Sequence, residues 1–253
     1  MISPKRIFAL LAASLFILSG CSPRHYAPAS VVWTDYRMYE STPKDSAVQV
    51  LLKTYSDGIN ATMNNVIGKV AETLEKSGAD GTLGLFMTDA YYQAALEKYG
   101  TPVHLSFMNT GGIRLTSLPA GNITVSKMYE LMPFDNLLVL LDMKGAEVRT
   151  LFNHIAGRGG WPLAGGSYTI TADRKAISIE VAGAPLDDTK TYRVAIGDYT
   201  ANGGDDCGFL KDLPRKDIGL LQRDALIEYV KKQCAGGKAI PAPTQGRVIK
   251  LNP

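Results

Sequence analysis

Histidine and cysteine are both scarce in this chain, three of each in 253 residues. His25, His104 and His154 stand far apart, and none sits in the His or Cys spacing that closes a metal site. No metal ligand set and no cofactor are therefore expected from the chain's own residues. Neither sign of charge dominates: 27 Lys and Arg face 24 Asp and Glu, for a net +3. That balance supplies no bulk field for a nucleic acid or a membrane surface, so any anion site has to be local. The Gly-rich loop of the nucleotide triphosphatases, the Gly-x-Ser-x-Gly elbow and a recognisable Cys-His nucleophile pair are missing too. Internal repeats and low-complexity runs are also lacking.

What is present begins at the N-terminus. Lys5 and Arg6 precede an apolar run, Ile7 to Leu18, of 12 residues. Such a run is too short to cross a bilayer as a helix but has the length of a secretory signal. Leu18-Ser19-Gly20-Cys21 then looks like a bacterial lipobox. Residues 1–20 read as a lipoprotein signal peptide, with Cys21 lipidated. Residues 21–43, with Pro23, Pro28 and Pro43, read as a tether, and 44–253 as one folded domain. Ser22 does not resemble an inner-membrane retention signal. The expected location is the cell envelope, lipid-anchored at the outer membrane and facing the periplasm or the surface. Cys207 and Cys234 then stand in a disulfide-permissive compartment as a candidate pair. The sequence does not show whether their backbones approach closely enough, so pairing stays open.

Periodicity places helices and strands in mixture. Val48, Leu51, Leu52, Tyr55, Ile59 and Met63 recur at helical spacing after Asp45, followed by a strand over Val66–Val70. Thr82 is the expected cap of a helix with Leu83, Phe86, Met87, Ala90, Tyr91 and Ala94 inward. A strand over Val103–Met108 follows, then a short helix capped by Ser126 and stopped by Pro133. Leu137–Met143 is nearly all apolar, as in a strand buried on both faces. Lys144–Ala156 reads as a helix. Tyr168–Thr171 and Ala176–Val181 form a hairpin around Asp173-Arg174-Lys175. A strand over Tyr192–Ile196, a helix over Leu220–Lys232 and a strand over Arg247–Leu251 complete the chain. Hairpins without a regular strand-helix alternation argue for an α+β fold with a mixed sheet.

Three loop segments carry chemistry. Asn109-Thr110-Gly111-Gly112-Ile113-Arg114 ends a strand; its glycines allow close backbone approach, and Arg114 offers a planar fork of donors. In isolation, a tight turn whose Arg pairs with a nearby carboxylate is the commoner meaning. Pro133-Phe134-Asp135-Asn136 can hold an aromatic rigidly, although a core Phe is the plainer reading. Tyr199-Thr200-Ala201-Asn202-Gly203-Gly204-Asp205 supplies a second aromatic and a carboxylate, which by itself reads as a turn. Together they offer more: two aromatics to sandwich a planar base, an amide to read its edge, a carboxylate for a ribose diol.

In this order the three segments resemble the C-terminal, substrate-recognising domain of the 5'-nucleotidases. The resemblance runs from about Asp45 to Leu251 and includes Lys144-Gly145-Ala146-Glu147-Val148. It implies that Phe134 and Tyr199 clamp the base, that Asn109, Arg114 and Asn136 contact the ligand, and that Asp205 holds the ribose. Gly159, in Gly159-Gly160-Trp161-Pro162, would line the same pocket. The family's metallophosphatase half has no counterpart here. The resemblance thus implies a nucleotide or nucleoside ligand, with hydrolysis expected from a separately encoded metallophosphatase chain that carries the divalent metals. The other reading is a non-catalytic envelope lipoprotein that binds nucleosides or serves in an assembly. Departures bear on the ligand. Asp135 and Asp206 stand where glycine is usual, and Lys76 is the lone cation in a stretch where relatives carry arginines. A weaker phosphate grip is expected.

Overall fold

The computed structural model describes residues 30, 32–39, 41–100 and 102–251. The expectations for the signal peptide, Cys21 and about half of the tether therefore fall outside the described residues. Two units are distinguished, Met1–Gln49 and Val50–Pro253. Helix α1 spans Ser46–Met63. Its start is set by Asp45, whose Oδ1 accepts the Ala47 and Val48 N–H groups at 2.8 and 3.2 Å. The helical stripe predicted for it is present, but only its last residue meets a core: Val48, Leu51, Leu52, Tyr55 and Ile59 are all at least half exposed, while Met63 packs against a buried cluster. No helix among the described residues is long and apolar enough to cross a membrane.

The second unit continues through β1 (Val66–Val70), β2 (Leu74–Glu75), α2 (Thr82–Tyr99), β3 (Leu105–Phe107), β4 (Ser117–Leu118), β5 (Gly121–Thr124) and α3 (Val125–Leu131). Next come β6 (Leu137–Lys144), α4 (Gly145–Gly157), β7 (Leu163–Ala164), β8 (Gly166–Ile170), β9 (Ala176–Val181) and β10 (Ala184–Pro185). The chain ends with β11 (Thr191–Gly197), α5 (Asp198–Ala201), β12 (Arg215–Leu221), α6 (Gln222–Gln233) and β13 (Val248–Lys250). The α+β class read from the sequence holds. Its centre is a five-stranded mixed sheet in the order β12-β6-β11-β3-β7, with only β11 and β3 parallel. A second sheet, β10-β9-β8-β13, contains the predicted hairpin and takes the last strand in parallel beside β8.

The nearly continuous apolar run of β6 is explained by the two cores it serves. Leu138 and Leu140 point into one cluster, with Leu83, Phe86, Met87 and Tyr91 of α2 and Leu226 and Val230 of α6. Val139, Leu141 and Met143 point into the other, with Val148, Leu151, Phe152 and Ile155 of α4. The period-2 alternation of a strand puts these sets on opposite faces of the sheet. Gly145 opens α4 where a Cβ would lie 2.0 Å from the Asp187 carbonyl oxygen, so a side chain there would force the helix off the sheet. Glu147 accepts the Lys144 N–H at 2.6 Å and satisfies one free donor of that helix start.

Several local expectations shift. Gly81, not Thr82, is the cap residue of α2, and the Thr82 hydroxyl instead accepts the Glu75 N–H at 2.9 Å. Thr124, not Ser126, caps α3 by accepting from Lys127 N. Residues 215–221 form a strand ahead of the last helix, where the sequence suggested helix from Leu220.

The candidate disulfide is not formed: Cys207 and Cys234 are free thiols. Cys207 belongs to the α4-side cluster and Cys234 packs against the α2-side cluster, so the central sheet stands between them. Burial, reinforced by the nearby Asp205 carboxylate, pushes the Cys207 thiol up to about 11, and a protonated buried thiol is a poor nucleophile.

Candidate functional site

The sheet topology brings the three singled-out loops to one edge. Because β3 and β11 run parallel, the segments after their C-terminal ends, beginning at Asn109 and at Asp198, leave the sheet on the same side. Strand β6 runs antiparallel to β11, with Leu138 opposite Gly197, so the Phe134–Asn136 turn enters β6 from that side. Strand β12 also ends there, Leu221 opposite Leu137, and delivers the start of α6. Helix α4 leaves β6 at the far edge and runs back, which returns His154 and Arg158 to the near one.

A concavity of about 300 Å³ lies at this edge, lined by Asn109, Gly111, Gly112, Arg114, Phe134, Asn136, Tyr199 and Asp205. Six of the seven residues singled out from the sequence thus share one cavity. Gly159 does not line it and lies in a second concavity, at the end of α4. Phe134 is 39% and Tyr199 48% exposed, so each presents much of its ring to solvent at the cavity. The Arg114 guanidinium stands 5.6 Å from the Phe134 ring centroid, within cation–π range. Asn109 Nδ2 donates to Asp205 Oδ2 at 2.7 Å and joins the first loop to the third.

Backbone chemistry makes the loops possible. A Cβ on Gly204 would lie 2.4 Å from the Tyr199 ring, so glycine lets the ring fold over its own turn. Asp205 and Asp206 both adopt positive φ, 52° and 58°. A left-handed backbone at a residue with a side chain costs about 1–2 kcal/mol, less for Asp than for most. Neighbours hold it. His154 Nε2 donates to the Asp205 carbonyl at 2.9 Å, and Arg158 pairs with the Asp206 carboxylate.

The Phe134 turn has a different support, which sequence reading missed. Arg223 is 6% exposed, the one cationic side chain among the described buried residues. It donates to the Met132 and Phe134 carbonyls at 3.4 and 3.3 Å and to Asp135 Oδ1 at 2.7 Å, and its guanidinium sits 4.0 Å from the Tyr129 ring centroid. Next to it, the Gln222 N–H donates to the Asn136 carbonyl at 2.8 Å. The Asp135 carboxylate, although exposed, is therefore paired with Arg223 rather than free. Lys76 turns out to brace a loop as well: its ammonium donates to the Ile113 carbonyl at 2.8 Å.

Neither described histidine belongs to a metal set, and no group of three or more His, Cys, Asp or Glu among the described residues is placed to hold a metal ion. His104 accepts the Arg193 N–H through Nδ1 at 2.8 Å, and burial, with the Arg193 charge, lowers its pKa from the ordinary imidazole range.

A family model described as the 5'-nucleotidase C-terminal domain matches residues 61–212. The chain belongs to that family. It is 27% identical over 209 residues to an apyrase from Tabanus yao, covering 71% of this chain and 38% of the relative. It is 33% identical over 147 residues to the UshA protein of Yersinia enterocolitica, covering 55% of this chain and 26% of the relative. Among solved structures, the 5'-nucleotidase precursor from Thermus thermophilus superposes with a TM-score of 0.71 at 30% identity, covering 83% of this chain and 44% of that one. The chain thus spans between about a quarter and under half of the length of these proteins.

Proposed function

We propose that the near-edge cavity binds a nucleoside or 5'-nucleotide, with the base stacked between Phe134 and Tyr199. The observation that carries this reading is the pair of half-exposed aromatics on separate loops around one cavity, beside a joined Asn109 and Asp205. The reading assigns Asn136 to the base edge, supported by its place in the cavity lining and by a side-chain amide with no partner among the described residues. The Asp205 carboxylate accepts from Asn109 through one oxygen and keeps the other for a ribose hydroxyl. Arg114 supplies the cavity's positive charge.

The chain supplies recognition, and hydrolysis belongs to a dimetal phosphatase in another chain or domain. The relatives, an apyrase and a 5'-nucleotidase precursor, are more than twice as long as the matched region. Two-metal hydrolysis needs a clustered ligand set, which the described residues do not provide. An envelope location through lipidated Cys21 is part of the same proposal, and one relative is named a cell wall protein of Listeria monocytogenes.

Calorimetric titration with AMP and adenosine tests this. Stacking contributes about 1–3 kcal/mol per base, so Phe134→Ala and Tyr199→Ala should each weaken binding roughly 5- to 150-fold. Unchanged affinity in both variants, or no binding by the unmutated protein, would overturn the reading.

A further inference from the structure

A second concavity, of about 360 Å³, lies where the end of α4, the tip of the β8–β9 hairpin and the last strand meet. Three cations line it, Arg158, Arg174 and Lys250, and no carboxylate does. Each comes from a different element, so they are not one charged helix face. Arg158 is shared with Asp206. Arg174 and Lys250 have no ion-pair partner among the described residues. The nearest acid on the hairpin, Asp173, is already engaged, 3.0 Å from the Lys175 ammonium and accepting from the Thr171 hydroxyl.

Two effects compete for the sign of this site. The C-terminal end of α4 presents roughly half a negative charge. Three positive charges, one of them shared with Asp206, still outweigh it. The helix-end carbonyls are also partly occupied: Ile155 accepts from Arg158 and Gly160, and Ala156 accepts from Gly159. The exposed Arg158–Asp206 pair is worth less than about 1 kcal/mol, so Arg158 can turn to an incoming anion at small cost. Arg174 is held at φ 60°, a conformation that side-chain-bearing residues seldom adopt, at the rim of this concavity.

We propose that this concavity is a binding site for a small phosphate-bearing anion, separate from the base cavity. Two guanidinium forks and an ammonium offer more donors and more charge than a single carboxylate can use, and they suit a dianion with several oxygens. No aromatic lines the concavity, so it has no means of stacking a base, and the ligand is compact. The Arg158–Asp206 pair ties this site to the loop carrying Asp205, but the proposal does not depend on nucleoside binding there.

The test is calorimetric titration of the protein with inorganic phosphate at low ionic strength. Saturable binding is expected, weakened at least about tenfold by the double variant Arg174→Ala/Lys250→Ala. A second double variant, Lys231→Ala/Lys238→Ala, removes the same charge elsewhere on the surface and should keep the wild-type affinity. Thermal melting of each variant confirms that it is folded. Equal loss in both double variants would mean a general charge effect and would overturn the proposal. Loss in Arg114→Ala with none in Arg174→Ala/Lys250→Ala would place the anion in the base cavity and overturn it too, as would the absence of saturable binding. Adenosine, which carries no phosphate, is titrated in parallel, so that failure of the base-clamp reading is seen separately.

Discussion

The two aromatic walls of the near-edge cavity are built on opposite principles. The Phe134 wall hangs from a buried cation: Arg223 ties three positions of the turn, through the Met132 and Phe134 carbonyls and the Asp135 carboxylate. The Tyr199 wall is held from the surface, by a half-buried imidazole and an exposed ion pair acting on two residues with left-handed backbone. One wall is fixed by a buried guanidinium whose contacts are costly to lose. The other is a strained turn kept in place by contacts that water can replace. The first wall sets a position and the second leaves room for adjustment.

The largest expected effect breaks the first wall. Arg223→Ala removes several charged hydrogen bonds and a cation–π contact at a buried site, and should cost roughly 2–3 kcal/mol of stability. Urea denaturation reads this, and Arg223→Lys should recover only part, because an ammonium cannot span the three acceptors. A loss under about 0.5 kcal/mol would mean that the turn stands without its buried cation. A smaller effect is expected from His154→Ala. It removes one hydrogen bond, worth about 1 kcal/mol, from the backbone that aims Asp205. Adenosine affinity should fall several-fold while free adenine, which lacks the ribose, is unaffected; equal losses for both would assign His154 to general stability. The smallest effect is expected at Asp206→Gly. Relief of about 1 kcal/mol of left-handed strain slightly exceeds the loss of an exposed ion pair, so a small rise in Tm is expected. A clear fall in Tm would show that the Arg158–Asp206 pair, not the backbone, governs the second wall.

The same contrast explains what could be read from the sequence. Glycine, aromatic and amide residues at strand ends are visible in one dimension, and Asn109, Arg114, Phe134, Asn136, Tyr199 and Asp205 do converge. The buried strand β6 was legible because five successive large apolar residues leave no face for water. Arg223 was not. In Gln222-Arg223-Asp224 it reads as the solvated start of a helix, and only the antiparallel return of β12 carries it beneath the Phe134 turn. Strand β12 was hidden by the polar Arg215-Lys216-Asp217, which an edge strand tolerates. The stripe on α1 shows the reverse failure: its spacing is right for a helix, but spacing does not say what the apolar side faces. Gly159, which the resemblance assigns to the base cavity, lies instead among the cations at the end of α4, because helix and loop together turn it toward the hairpin.

The Asn109–Asp205 bond joins residues 96 positions apart in the chain. It closes the loop of chain between the first and third segments at the place where a sugar would arrive. The ordering entropy of those two side chains is consequently spent during folding rather than at the moment of capture. Under the proposed reading, a ligand would find this one link already made, and its residence time would depend on how well its hydroxyls share or replace a single amide-to-carboxylate contact.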